Sequence, residues 1–406
     1  MTAVRPLRLR IVQPSWAERV SSPAHDALTP SNRRAHLAFN PDSYMAVTRG
    51  LEDVEPGEVA SAEDLLHQGR AALDRLRQSG AFCAERGDDF YVYRLAEQST
   101  SITGIVAGVS VDDYNAGRVR IHEHVKANRA IHLANHLDVV GVQSSPIAMA
   151  HRPNPVIADI IARAVGSEPL LQFALPDGLE QTVWAIPQGP DHEAMRSALD
   201  NDPLYLIDGH HRAAAAATFR TAAGPGMADW MLSAIFSTDE LENAPHHRVL
   251  SPKGGVEETL RIIGRRLRVR RCSVTEIDDR SPSEIALYGA GQWYCLDLPH
   301  AGGSDAAALL ADLDPSRFQA QVLTPLFRID PEGDDPALSY LAGQREVSEL
   351  QNVVDEQQGL LAIMRQVPVT ALVAAADAKL VMPPKSTYFE PKVRSGVFLR
   401  ETAAEG

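Results

Sequence analysis

The alternation of apolar and polar positions predicts a series of short strands in the first part of the chain. Residues 90–95 and 104–111 are β-rich runs separated by polar residues, which is typical of an antiparallel pair. Shorter apolar runs predict further strands at residues 7–12, 170–174, 181–186, 204–207 and 230–236.

Helices are predicted where apolar residues recur at intervals of three or four. The clearest case follows Ser61, because Asp64 three residues later completes a capping-box pattern and Gly80 marks the end. Its apolar stripe consists of Leu65, Leu66, Leu73 and Leu76. Further helices are predicted for most of residues 121–140 and at residues 156–165, 191–199, 213–219 and 256–267, followed by a helix-rich region up to residue 376. Strands and helices in this order predict a mixed α/β fold.

Length and charge narrow the class of protein. With 406 residues the chain exceeds one ordinary core, and we expect two lobes, residues 1–250 and 251–406. Hydrophobic residues make up 44% and charged residues 23%, which indicates a folded globular protein. The formal net charge of −14 disfavours nucleic acid and anionic lipid as partners.

Cysteine usage and the terminus indicate a cytoplasmic protein. The three cysteines, Cys83, Cys272 and Cys295, form no Cys-x-x-Cys pair, which favours a reduced state without a disulfide framework. Residues 1–10 are polar and basic, unlike a signal peptide. No apolar run is long enough to cross a bilayer, so we expect no membrane partner.

The strongest chemical signal is the run Asp208, Gly209, His210, His211 and Arg212, between an apolar strand and an alanine-rich helix. Glycine allows a sharp turn, and the free N–H groups of the following helix form an anion site. The histidines and the arginine fork add donors suited to phosphate. Asp208 stands at the strand end, where it could hold magnesium or orient a hydroxyl. The alternative is a polar turn with exposed histidines.

A second signal is His122-Glu123-His124. It is not a zinc-protease motif, because the residue four after His122 is Lys126. Glu123 is a candidate general base or a surface charge. His132 and His136 lie one helical turn apart and could bind a metal with His124, although solvated histidines on a helix explain them better.

The third signal is Lys385, Ser386 and Thr387, which follow two prolines near the C-terminus. The prolines favour an extended path, and the three side chains supply donors suited to phosphate or carboxylate. The alternative is an ordered tail that packs its aromatic residues. Two familiar phosphate loops are absent: no Gly-x-x-x-x-Gly-Lys-Ser/Thr occurs, and the Gly289-Ala290-Gly291 run lacks a third glycine.

These segments resemble the bacterial family called domain of unknown function 1015. The resemblance covers nearly the whole chain and is carried by residues 20–23, 40–44, 90–94, 103–107, 122–123, 145–147, 204–205, 208–212, 247–249, 383–392 and 395–396. The motifs of that family are in turn similar to those of free serine kinases, which have a ParB/sulfiredoxin-type nucleotide fold.

The resemblance implies a ParB/sulfiredoxin-like nucleotide-binding core in residues 1–250 and a C-terminal α/β lobe whose tail closes over the site. It implies catalysis by Glu123, phosphate binding at residues 208–212, and closure by Lys385, Ser386 and Thr387. Asp208 is the second catalytic candidate. The implied enzyme is a cytoplasmic kinase that transfers phosphate from ATP or ADP, with magnesium near Asp208, to serine or a related hydroxy amino acid. A homodimer is left open.

Two other functions fit part of the sequence. The first is a ParB-like regulator that binds nucleotide without transferring phosphate, although neither a helix-turn-helix nor a basic face is evident. The second is a metal-dependent hydrolase that uses His122, His124, His132 and His136.

Overall fold

The computed structural model of the chain describes residues 3–23, 25, 28–55, 57–97, 100–251, 253–330, 335–343 and 345–402. These residues form a mixed α/β fold, which confirms the predicted class. The chain divides into two compact units. The first consists of Met1–Ile121, Val125–Leu241 and Pro391–Gly406, and the second of His122–His124 and Glu242–Glu390. The sequence-based division at residue 250 assigns the last segment to the C-terminal lobe instead.

Twenty strands occur in the described residues, most of them short. In chain order they are β1 (Val4–Arg5), β2 (Arg10–Ile11), β3 (Phe90–Glu97), β4 (Thr100–Ser110), β5 (Val119–Arg120), β6 (Val142–Gln143), β7 (Ile147–His151), β8 (Leu171–Ala174), β9 (Glu180–Ile186), β10 (Leu204–Asp208), β11 (Trp230–Ser237), β12 (Glu242–Ala244), β13 (His246–Leu250), β14 (Val269–Cys272), β15 (Glu284–Gly289), β16 (Gln292–Asp297), β17 (Leu338–Ala342), β18 (Leu360–Ile363), β19 (Tyr388–Glu390) and β20 (Phe398–Glu401).

Thirteen α-helices occur in the same residues, together with short 3-10 turns and one π-helical segment, Gln319–Phe327. The α-helices are α1 (Ala17–Val20), α2 (Pro30–Phe39), α3 (Ala62–Gln78), α4 (Val111–Asn115), α5 (Ala127–Val140), α6 (Pro155–Val165), α7 (Pro190–Asp200), α8 (His210–Ala223), α9 (Gly255–Gly264), α10 (Ala306–Ala311), α11 (Asp314–Phe318), α12 (Val347–Gln357) and α13 (Val369–Asp377).

A nine-stranded mixed sheet forms the centre of the first unit. Its order is β5-β10-β7-β11-β4-β3-β9-β8, with β1 paired to β4. The predicted antiparallel pair is confirmed as β3 and β4, with Tyr93 opposite Gly104. A side chain at Gly104 would meet the carbonyl O of Ile235 at 2.5 Å, so glycine is needed for the close approach of β11.

Helices cover this sheet where the apolar pattern placed them. Helix α3 begins at the predicted capping box of Ser61 and Asp64. The alanine-rich helix α8 buries Ala213, Ala215 and Ala216, and its small side chains allow close packing. Ala215 and Phe219 pack against Ala134 of α5, so α5 and α8 lie side by side.

The C-terminal segment is an integral part of the first unit. Strand β20 lies between β2 and β6 in a three-stranded antiparallel sheet, and Phe398 and Leu399 are buried. The strand predicted at residues 7–12 is reduced to β2, with isolated bridges at Leu7 and Val12. The partner of β2 is β20, at the other end of the chain, so the local sequence pattern could not determine the length of β2.

The helix predicted for most of residues 121–140 is confirmed, but the first residues of this range are not helical. Helix α5 starts at Ala127, and Lys126 before it is extended. Residues 122–124 belong to the second unit, where the carbonyl O of His122 accepts a hydrogen bond from the N–H of Met382 at 2.9 Å. A tertiary contact therefore overrides the helical pattern in this segment.

A six-stranded sheet of order β14-β16-β15-β18-β13-β17 forms the second unit, beside the pair β12 and β19. The helix-rich region predicted up to residue 376 contains α10 to α13 and the π-helical segment, but the prediction missed strands β15 to β18, which lie within it. Ile285 and Leu287 face one apolar cluster and Ala286 and Tyr288 face another. A strand that is apolar on both faces lacks alternation, and periodicity alone cannot distinguish it from a buried helix.

No helix in the described ranges combines the length and the apolar character needed to cross a membrane.

Candidate functional site

The turn at residues 208–212 has the predicted strand–turn–helix geometry. Strand β10 ends at Asp208, and α8 begins at His210. Gly209 is the N-cap, in the left-handed region with φ of 95° and ψ of 30°. The first N–H groups of a 14-residue helix therefore face the turn, as an anion site requires.

Arg212 holds the turn together through its guanidinium group. Its Nη2 lies 2.5 Å from Oδ2 of Asp208. Its Nη1 donates to the carbonyl O atoms of Ser145 at 3.1 Å and Pro146 at 2.6 Å. The sequence predicts Arg212 as a phosphate ligand. In this structure it joins β10, α8 and the segment before β7, which makes it first a positioning residue.

Lys392 also belongs to the site, although its role was not evident from the sequence. Its Nζ donates to Oδ1 of Asp208. The two side chains keep only 14% and 16% of their exposure. Lys392 lies within the tail segment of the resemblance, but nothing in the sequence links it to a residue 184 positions away.

Asp208 is ionised in this environment. Burial alone would raise its pKa, but the adjacent Lys392 and Arg212 charges outweigh burial and hold the pKa below its ordinary value of 3.8. A carboxyl group with so low a pKa is a poor proton acceptor at neutral pH. With two cations on one carboxylate, the turn carries excess positive charge and suits an anion.

The carboxylate oxygens of Asp208 are less suited to binding a magnesium ion than the turn is to binding an anion. Each carboxylate oxygen of Asp208 already accepts a bond from a cation, so an ion would have to displace Lys392 or Arg212. The assignment of magnesium to Asp208 stays a prediction.

The two histidines of the turn lie at the first positions of α8. His210 is buried. Nε2 of His211 accepts a hydrogen bond from the backbone N–H of Lys126 at 3.2 Å, so the proton of a neutral His211 ring is on Nδ1. Because Lys126 is the N-cap of α5, the N-termini of α5 and α8 meet here. Two helix dipoles therefore direct their positive ends to the same region.

The second unit brings two of the predicted segments into contact. Nε2 of His122 lies 3.2 Å from Oγ1 of Thr387. Ser386 donates from its hydroxyl to the carbonyl O of Pro383 at 2.6 Å and fixes the bend of the tail. Lys385 is exposed and has a φ of 56°, unusual for a residue with a side chain. Glu123, half-buried, directly follows His122.

Glu123 and residues 385–387 thus share one unit, while residues 208–212 and Lys392 belong to the other. The convergence of Glu123 and Lys385 with the Asp208 turn stays a prediction.

The geometry does not favour a histidine metal site. In the described part of the chain, the one group of three ligands within reach of one another is His25, Glu52 and Asp53. None of the four histidines of the hydrolase hypothesis belongs to it. Nε2 of His136 instead lies 2.9 Å from the carbonyl O of Val47. In the His25 group, Arg33 lies 2.6 Å from Asp53 and occupies the position of a cation.

The chain belongs to the family described as protein of unknown function DUF1015, whose model matches residues 4–316. No curated protein matches the sequence. Among solved structures, the free serine kinase in complex with AMP is 12% identical, with a TM-score of 0.40, covering 72% of this chain and 91% of that one. A variant of free serine kinase in complex with ADP is 11% identical, with a TM-score of 0.40 and coverages of 74% and 94%. A conserved hypothetical protein from Pyrococcus furiosus is 11% identical, with a TM-score of 0.39 and coverages of 73% and 95%.

A first prediction concerns Gly209. A Cβ there would lie 2.8 Å from Nε of Arg212, in addition to the strain of its positive φ. Gly80 is a matched control, with a φ of 74° and no atom within 4 Å of the position that a methyl group would take. We expect Gly80→Ala to lower the free energy of unfolding by roughly 1–2 kcal/mol, the cost of the left-handed conformation. Gly209→Ala should cost more, measured by urea unfolding. Equal losses would mean that Arg212 does not pack across Gly209.

A second prediction concerns Lys392. Lys392→Met removes one cation from Asp208, and we expect a loss of roughly 2–3 kcal/mol at pH 7, reduced because both groups keep some solvent contact. Since the folded-state pKa of Asp208 is lowered, its stabilisation is present above the ordinary pKa and is lost as the pH falls.

The difference between wild type and Lys392→Met should therefore be constant from pH 5 to 8, on the order of that loss, and shrink below 3.8. Urea unfolding at several pH values measures it. Lys253→Met, at an exposed lysine, is the control. A difference that does not change with pH would exclude the Asp208 ion pair as its cause.

Proposed function

We propose that this protein is a nucleotide-dependent phosphotransferase that transfers phosphate from ATP or ADP to the hydroxyl group of serine or a related hydroxy amino acid. The observation that carries the proposal is the cationic turn at Asp208, where a helix N-terminus, Arg212 and Lys392 surround a single carboxylate. Such a turn favours the phosphate groups of a nucleotide over neutral or cationic ligands.

Three motifs in one chain order support the finer assignment. Residues 122–123, 208–212 and 385–387 resemble the corresponding motifs of free serine kinases. Contact between the His122 segment and the tail at Thr387 is consistent with a joint role for two of them. A homodimer stays a prediction.

Glu123 is the group we assign as general base. It would accept the proton of the substrate hydroxyl while that oxygen forms a bond to phosphorus and the bond to the nucleotide leaving group breaks. Phosphoryl transfer depends mainly on positioning and charge neutralisation, which N–H groups and cationic side chains provide. The exposed Lys385 would bind the acceptor's carboxylate or the charge that develops on phosphate.

Nucleotide binding is the first test. ATP or ADP should raise the melting temperature of the wild-type protein, because a ligand that binds the folded state stabilises it. Arg212→Ala removes a cation and releases Asp208, and should lower nucleotide affinity about tenfold to a hundredfold, from roughly 1.5–3 kcal/mol for a charged hydrogen bond. Arg196→Ala, at an exposed arginine paired with Glu193, should leave the affinity unchanged. An unchanged affinity in Arg212→Ala would place the phosphates elsewhere.

Turnover is the second test. Glu123→Gln should keep nucleotide affinity or raise it slightly, since a carboxylate repels phosphate. It should lower phosphate transfer by roughly 10² or more, the scale of general-base removal. Glu349→Gln, at an exposed position of the same unit, is the control. Both quantities are measured by calorimetry and by phosphorus NMR with a panel of hydroxy amino acids.

Two outcomes would contradict the proposal in different ways. Weaker nucleotide binding with intact turnover in Glu123→Gln would show that Glu123 is not the base. Tight nucleotide binding by the wild-type protein with no transfer to any acceptor would favour a nucleotide-binding regulator.

A further inference from the structure

Arginine side chains lie along one edge of the six-stranded sheet, where its strands begin or end. Strands β13 and β15 begin at this edge and β17 and β18 end there, because both neighbours of β13 and the pair β15 and β18 are antiparallel. His246 lies opposite Ala342 of β17, and Arg248 lies opposite Ala362 of β18. The edge is therefore the place where residues before β15 and after β17 and β18 meet the start of β13.

Arg248 is a buried cation at this edge that makes no ion pair with the described residues. Only 2% of its surface is exposed. Its Nη1 donates to the carbonyl O of His246 at 2.5 Å, and its Nη2 to the carbonyl O of Pro384 at 3.2 Å. The ring of Tyr340 lies 5.3 Å from its Cζ. Burial lowers the pKa of Arg248 to about 10, so it is still charged at neutral pH.

Four further arginines lie at the same edge, and the carboxylate of Asp314 pairs directly with two of them. Asp314 lies 2.6 Å from Nη2 of Arg317 and 3.3 Å from Nη1 of Arg365. Arg317 and Arg365 also donate to carbonyl groups of the segment before β15, including that of Pro282. The other two arginines are Arg280, which donates to the carbonyl O of Ile277, and Arg345, which donates to that of Ala342. Neither Arg280 nor Arg345 forms an ion pair within the described ranges.

Two buried donors of this group lack an acceptor. Nε of Arg280 and Nε of Arg317 are enclosed and have no hydrogen-bond partner among the described residues. An enclosed N–H of a charged group without an acceptor is costly, and an anion with several oxygen atoms would satisfy it.

His247 lies among these charges and is neutral. Burial, followed by the charges of Arg248, Arg280 and Arg345, lowers its pKa to about 4. Its Nδ1 accepts a hydrogen bond from the N–H of Met364 at 3.2 Å, so its proton is on Nε2. The ring adds a donor to the edge without adding charge.

We propose that this arginine edge, formed by Arg248, Arg280, Arg317, Arg345, Arg365 and His247, binds the phosphate group of a small molecule or free phosphate. Guanidinium forks match the tetrahedral oxygens of phosphate, and a dianion offsets the positive excess better than a single carboxylate does. The carboxylates of Asp314 and Asp278 act on these cations, but they are fewer than the five arginines, and in a chain of net charge −14 such an excess of cations indicates a ligand. The proposal does not depend on the phosphotransferase function.

A purely structural role makes a different prediction for the protein without ligand. If Arg248 and Arg280 serve only to hydrogen-bond backbone carbonyl groups, then Arg248→Gln and Arg280→Gln should lower the melting temperature in phosphate-free buffer. If they form a binding site, removing one of several like charges should leave that temperature unchanged or raise it, because repulsion decreases. The rise produced by phosphate should then be reduced.

The test uses the full chain and inorganic phosphate at constant ionic strength, by calorimetry and thermal melting. We expect Arg248→Gln and Arg280→Gln each to weaken phosphate binding about tenfold or more, as for the loss of a charged hydrogen bond. Arg261→Gln is the matched control, because Arg261 is an exposed arginine of the same unit paired with Glu258. It should retain wild-type affinity. If Arg248→Gln does not fold, the phosphate affinity of Arg280→Gln alone tests the proposal.

Four results would overturn the proposal. Equal phosphate affinity in wild type, Arg248→Gln and Arg280→Gln would show that the edge binds no phosphate. An equal loss in Arg261→Gln would reduce the effect to overall charge. An equal loss in Arg212→Ala would place the ion at the N-terminus of α8. Glycerol phosphate and acetate are compared with free phosphate, and tighter binding of acetate would also contradict the assignment.

Discussion

The ion pairs of Asp208 tie together parts of the first unit that are distant in sequence. A buried carboxylate is costly unless cations and hydrogen bonds compensate it. Here one cation, Arg212, comes from the first turn of α8, and the other, Lys392, comes from the last segment of the chain. The strand end, the helix start and the C-terminal segment are therefore fixed by one charge. Gly209 is required because the Arg212 side chain crosses it.

Buried or half-buried arginines in both units are held by backbone carbonyl groups as much as by carboxylates. Arg212 donates to Ser145 and Pro146 and Arg248 to His246 and Pro384. A carbonyl group orients a guanidinium without neutralising it. Such arginines leave a local excess of positive charge in each unit of an acidic chain. The overall charge of the protein gives no indication of either local excess.

The sequence predicted local structure well where the signal is local. The capping box at Ser61, the pair β3 and β4, and the turn at Gly209 depend on residues next to one another in the chain, and all three are confirmed. Prediction failed where a segment is shaped by distant partners. Strands β15 and β18 are apolar on both faces, and residues 122–124 leave the helical pattern for a contact with Met382.

The sequence by itself therefore determined the mixed α/β class, the strand–turn–helix at Asp208 and the family motifs. These follow from backbone preferences of single residues and from patterns a few positions long. Only the tertiary structure decided that Lys392 neutralises Asp208, that Arg212 positions the turn, and that five arginines lie at one sheet edge. Those pairings depend on strand order and on which chain segments each unit contains. Charges far apart in sequence carry no local signal of the carboxylate or carbonyl group that they will meet.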